Sequence, residues 1–140
     1  MDSTRRSLFA ALPMLAVSAA FAADSSQQLR SFIKPFGQLP AKSNGGNTFR
    51  PILDGVTHTG EHLEVHETTL APGGSPHPPH RHKHEELFLM TKGNLAVTIE
   101  GKTKVIGPGA AAFVHSGELH GVHNQGDQDA QYFVVATGVN

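Results

Sequence analysis

The chain contains no cysteine and no tryptophan, and only one tyrosine. Without cysteine there are no disulfides, no thiolate zinc sites and no thiol nucleophile. Charge is also sparse, at 16% of residues, and formally sums to −1. No basic stripe runs through it, which argues against a nucleic-acid partner. No apolar run is long enough to cross a bilayer as a stable helix, so no stable membrane anchor is expected. Long helical periodicity is missing as well. Instead, 15 glycines and 9 prolines punctuate the 140 residues at close intervals. That length allows one globular domain.

The first 22 residues read as a targeting peptide. Arg5 and Arg6 form a positive start, Leu8 to Val17 a short apolar stretch broken by Pro13, and Ala20-Phe21-Ala22 a small-x-small cleavage signal. Thr4-Arg5-Arg6-Ser7-Leu8-Phe9 resembles a bacterial twin-arginine export signal. The expectation is an exported protein, periplasmic or secreted, whose mature chain starts near Ala23. Residues 23–48 then form an N-terminal extension and loop, polar at first and rich in turn formers from Gly37 onward.

From residue 49 to 140 the pattern is one of short strands separated by turns. Strands are expected at Phe49–Leu53, His62–Leu70, His80–Met90, Leu95–Glu100, Lys104–Ile106, Ala111–Val114, His120–Asn124 and Gln131–Thr137. Gly73-Gly74, Gly93-Asn94, Gly101, Gly107-Pro108-Gly109, Ser116-Gly117 and Gly126-Asp127 mark the turns. Many short strands at even spacing predict an all-β sandwich or barrel. A chain this small buries only about two-thirds of its unfolded surface. With no disulfide to help, a ligand bound only by the folded state would add stability.

The chemistry concentrates in residues 74–93. His77, His80, His82 and His84, followed by Glu85 and Glu86, run directly into the apolar Leu87–Met90. Pro76, Pro78 and Pro79 forbid regular helix upstream. In extended chain, side chains alternate faces, so positions 80, 82, 84, 86, 88 and 90 share one face. Two or three imidazoles and a carboxylate on that face suit one divalent transition metal. Imidazole favours Zn, Cu, Fe or Ni, and a carboxylate shifts the balance toward Mn and Fe. The competing reading is a solvated histidine tract that scavenges metal without a fold.

A second histidine group, His115, His120 and His123, follows at a distance. His120 comes just after a turn and opens a strand, a suitable place for an inward ligand. His123 has the opposite strand parity, so regular strand cannot aim both into one cavity. His58, His62 and His66 read as exposed or structural, although His62 and His66 share parity and one of them can line a cavity.

The two groups together resemble the cupin superfamily. Gly74, five residues, His80, one residue, His82, three residues, Glu86, six residues and Gly93 match its first motif. Gly109, five residues, His115, one residue, Gly117, two residues, His120, three residues and Asn124 match its second, except that His115 stands where the family usually has proline.

The resemblance implies a single jelly-roll β-barrel over residues 49–140 with a metal inside. It implies His80, His82, Glu86 and His120 as metal ligands, with Glu86 a candidate catalytic base as well. It leaves His84 as a rim residue or an exchange ligand, and His115 as an extra titratable group near the barrel mouth. The implied activities are those of cupin dioxygenases on flavonols, diketones or small aromatic acids, or of cupin isomerases, decarboxylases and lyases. A binder of metal or small ligand without catalysis is the other class. The partner is then a small molecule, and related barrels commonly dimerise through edge strands. Phe88, Met90, Val97, Ile99, Phe113 and Phe133 are candidate lining residues, where their parity is inward.

Overall fold

The computed structural model of the protein describes residues 27–138. The expected targeting peptide, 1–22, lies outside them. After one 3-10 turn, Phe36–Gln38, the described chain is all strand: β1 (Lys42–Asn44), β2 (Asn47–Val56), β3 (His62–Leu70), β4 (Glu85–Lys92), β5 (Leu95–Ile99), β6 (Lys102–Ile106), β7 (Ala111–Val114), β8 (His120–His123) and β9 (Ala130–Thr137). Among the described residues no helix is long and apolar enough to cross a membrane.

The strands form two antiparallel sheets. The larger runs β1-β2-β3-β9-β4-β7 and the smaller β6-β5-β8. Their inner faces share one core built from Leu70, Phe88, Met90, Leu95, Val97, Val114, Val122, Tyr132 and Val134. Alternation along β9 shows why: Ala130, Tyr132, Val134 and Ala136 are buried, while Gln131, Phe133 and Val135 face outward.

Two expectations need correction. Among the described residues the sheets do not close into a continuous hydrogen-bonded barrel. Gly107-Pro108-Gly109 carries the chain from β6 in the small sheet to β7 in the large one, so these neighbours in sequence do not pair. The described part of the expected extension and loop, residues 27–48, also carries regular structure. Lys42–Asn44 pairs with Asn47–Phe49 as a hairpin, and Gln28 bridges to Val56. The Arg50 guanidinium stands over the Phe36 ring at 4.9 Å and reaches the fully buried Glu67 at 2.7 Å.

The non-ligand anchors of the two motifs are structural. Gly93 has φ +69°, and a side chain there would overlap the carbonyl of Asp129. Gly74 leaves no room for a Cβ against the Asn47 side chain and the Ala71 carbonyl. Asn124 is fully buried and ties three segments together. Its amide donates to Leu70 O at 2.9 Å and Gln128 O at 2.8 Å, and its Oδ1 accepts from Gly126 N at 3.0 Å.

Candidate metal centre

The site forms where the two sheets face each other. His80 and His120 pair backbone to backbone, each N–H donating to the other's carbonyl at 3.0 Å. Gly121 permits this approach, because a Cβ there would press on the Pro79 ring at 3.1 Å. His82 follows in irregular chain, and Gly117 N donates to its carbonyl at 2.8 Å. Glu86 arrives from β4 in the other sheet. The expected continuous strand from His80 to Met90 therefore does not form. The chain crosses from the small sheet to the large one over 81–84, and β4 begins at Glu85.

His80, His82 and His120 nonetheless bring ring nitrogens within 4.8 Å of one another. Glu86 joins them: its Oε1 lies 3.5 Å from His82 Nε2 and its Oε2 lies 3.3 Å from His120 Nε2. His80 Nδ1, His82 Nε2 and His120 Nε2 are buried without a hydrogen-bond partner among the described residues. A buried polar atom left unpaired costs about 1–3 kcal/mol. Three of them beside one carboxylate make a donor set suited to a cation.

The other ring nitrogens are engaged in the way a ligand set requires. His82 Nδ1 donates to His84 O at 2.9 Å, and His120 Nδ1 donates to Glu118 O at 3.0 Å. Each bond fixes the tautomer that presents an unprotonated Nε2 to the centre. Donors that share one ion at about 2.1 Å sit on the order of 3 Å apart, close to the spacings to Glu86. Burial, and then the neighbouring His77, His120 and His82, hold the His80 imidazole below its ordinary value, which favours the neutral ligand form. The four residues thus fit a divalent transition metal.

His84 falls beside this set. Its ring stacks flat on His82 at 3.5 Å, and its Nε2 lies 3.2 Å from Glu86 Oε1. It orients the carboxylate from the solvent side. With His82 and Glu86 it also makes a second group of metal-binding type that shares two members with the first.

A cavity of about 380 Å³ opens beside Glu86 and His120. Phe49, Leu70, Phe88, Val122 and Val134 supply apolar wall, and Lys42, Asn44, Ser75 and His77 contribute polar lining. Tyr132 also lines it, with burial pushing its phenol far above the usual tyrosine range, so it stays un-ionised. Of the expected lining residues only Phe88 is there. Met90 and Val97 are core, Ile99 lines a separate depression, and Phe113 and Phe133 have outward parity.

The remaining histidines separate. His115 is exposed, with Glu118 3.2 Å away, and does not line the cavity. His123 Nδ1 meets Ser75 Oγ at 3.0 Å. His58 is exposed. His62 is buried, its Nε2 2.7 Å from Asp54. His66, not His62, lines the cavity. His77, read as a surface residue, is exposed yet sits edge-on to His80 at 4.1 Å.

Sequence reasoning singled out neither Arg81 nor Glu100, which join across the site, nor Glu64, the partner of His66. In each case the pairing lies between strands or loops, and no local spacing announces it.

Known proteins resemble this chain in sequence and fold. A tobacco (Nicotiana tabacum) auxin-binding protein, T85, is 31% identical over 116 residues, covering 74% of this chain and 62% of that protein. The chain thus aligns with about three-fifths of the length of that relative. An RmlC-like cupin from Shewanella frigidimarina superposes with TM-score 0.66 at 18% identity, covering 79% of this chain and 94% of the other. The polyketide cyclase RemF of Streptomyces resistomycificus superposes with TM-score 0.65 at 25% identity, covering 77% and 80%. Residues 66–136 match the cupin domain family, and the chain belongs to it.

Proposed function

We propose that the protein is an exported metal-dependent enzyme, an oxidoreductase of the dioxygenase type, acting on a small organic molecule. One observation carries this reading: three unpaired, buried imidazole nitrogens and one carboxylate converge beside a cavity of small-molecule size. His80, His82, Glu86 and His120 would hold one divalent ion: Fe, Mn, Ni, Cu or Zn. When bound, such an ion supplies a Lewis acid and, if redox-active, an electron partner.

The chain's own residues do the rest. The carbonyls of His84 and Glu118 hold His82 and His120 in the tautomer that can ligate. Glu86 offsets the charge of the ion. Its Oε1, flanked by His82 and His84, is also a proton acceptor at the cavity wall. Phe88, Val122 and Val134 keep the substrate's apolar body out of water.

A second reading is a ligand-binding cupin without turnover. Its support is the curated relative described as an auxin-binding protein. The first test is elemental analysis of protein purified from its native source without added metal or chelator. Near-stoichiometric iron, manganese, nickel or copper supports the enzyme, and oxygen uptake on diketones and phenolics follows. A folded protein with no metal supports the binder. Amino-terminal sequencing of the same sample tests export, with Ala23 the expected first residue.

A further inference from the structure

We propose that His66, which lines the cavity, and Glu64, which holds it from behind, form an acid–base dyad that takes the proton from an ionisable hydroxyl, phenolic or enolic, of the bound molecule. The inference rests on the cavity being the substrate chamber.

Both residues lie on the inward face of β3, a face that elsewhere carries Thr68 and Leu70 into the core. His66 Nδ1 lies 2.9 Å and 3.1 Å from the two carboxylate oxygens of Glu64. A carboxylate accepts from Nδ1–H in both charge states of the ring, so Nε2 is the nitrogen that gains and loses the proton. Nε2 has no hydrogen-bond partner among the described residues. The ring is braced by Phe49, centroids 4.7 Å apart, and His66 lines the cavity. This is a base held in place by a third group, an arrangement suited to proton transfer by its geometry. A carboxylate and an imidazole on the inner face of a sheet contribute little to packing, and their desolvation works against the fold.

The dyad also stands in register with the metal site. Across the large sheet, Glu64 pairs with Ala136, which pairs with Glu86. His66 pairs with Val134, which pairs with Phe88. His66 and Glu86 therefore share one wall two strands apart, about 10 Å between strand axes. One small molecule between them meets both.

In the proton step the ligand's O–H bond breaks and an Nε2–H bond forms. The electron pair stays on the ligand oxygen. The imidazolium is balanced by Glu64, and the proton returns from Nε2 when product forms, so no co-reactant is consumed. The other ionisable groups lining the cavity are Lys42, His77, Glu86, His120 and Tyr132.

The test uses the zinc-loaded protein, which is spectrally silent, and 4-nitrocatechol, whose ionised forms absorb at longer wavelength. The wild type is expected to bind the probe in ionised form at a pH where free probe is still protonated. His66→Gln should move the ionisation midpoint of bound probe up by about one pH unit or more, at unchanged zinc content. Glu64→Gln should move it part of the way. A midpoint unchanged in His66→Gln overturns the dyad, even if the variant melts lower. So does a wild type that fails to bind the probe or binds it un-ionised.

If the wild type does not retain zinc, the metal reading fails instead. Ring-nitrogen NMR of the metal-free protein then decides the dyad. An Nδ1–H tautomer with titrating Nε2 at His66, lost in Glu64→Gln, supports it, and the opposite tautomer overturns it.

Discussion

Arg81 and Glu100, 19 residues apart in the chain, clasp the two halves of the candidate metal centre. Arg81 Nη1 donates to Glu100 Oε1 at 2.5 Å and to Gly117 O at 2.6 Å. The same Glu100 oxygen accepts from Leu119 N at 2.6 Å. The arm bearing His80 and His82 is thereby fastened to the turn that presents His120. Both side chains are about half exposed, 53% and 46%. Such a pair adds little to global stability, so its effect is positional.

Glu100 holds this post at φ +45°, a left-handed conformation that suits glycine better. Glu100→Gly should therefore leave the metal-free protein as stable as wild type or more so, while weakening metal retention roughly tenfold. Thermal melts of metal-free protein and competition with a chelator measure the two effects separately. A loss of stability with metal affinity intact would assign the pair to the fold alone.

Removing ligands should act oppositely on the loaded and empty forms. His80→Ala with His82→Ala should abolish metal retention and lower the melting temperature of protein isolated with its metal. In the metal-free protein the same change removes two unpaired buried nitrogens, so the penalty should be small or reversed. Elemental analysis and paired melts are the check, and unchanged metal content would sink the ligand assignment.

The response to pH follows from His80. Its folded value lies below the ordinary 6.5, chiefly through burial. The unfolded chain then binds a proton there that the folded, metal-free chain does not. Stability of the metal-free form should fall as pH drops through 6.5 and level off below the folded value. Metal and proton compete for the same nitrogens, so the melting curve of loaded protein should converge on that of the empty form toward about pH 5. Metal retained well below that pH would argue against a site dominated by histidine.

Gly93 offers a control away from the chemistry. Its backbone is left-handed, and a methyl group would meet the Asp129 carbonyl. Gly93→Ala should cost roughly 2–4 kcal/mol in denaturant unfolding, from backbone strain and the shift needed to relieve the overlap. The metal-to-protein ratio of the folded fraction should stay at the wild-type level.

Much of this was legible in the chain itself. Glycines and prolines at short intervals, with alternating apolar residues between them, determine an all-β protein, because turn conformation and strand parity are local properties. β3, read from partial alternation, and β7, read from an apolar run between turns, fall at their expected bounds. The spacing of His80, His82, Glu86 and His120 identified the residues that do converge.

Parity alone misjudged how they converge, since it assumed one strand from His80 to Met90. The chain instead steps between sheets, and His84 stacks on His82 instead of continuing the row. Which histidine of β3 enters the cavity, that Phe113 and Phe133 face outward, and that Arg81 finds Glu100 were decided only by tertiary structure. Those outcomes depend on which strands become neighbours and in what register. Register is set by the summed burial of two whole faces, a quantity no single stretch of sequence contains.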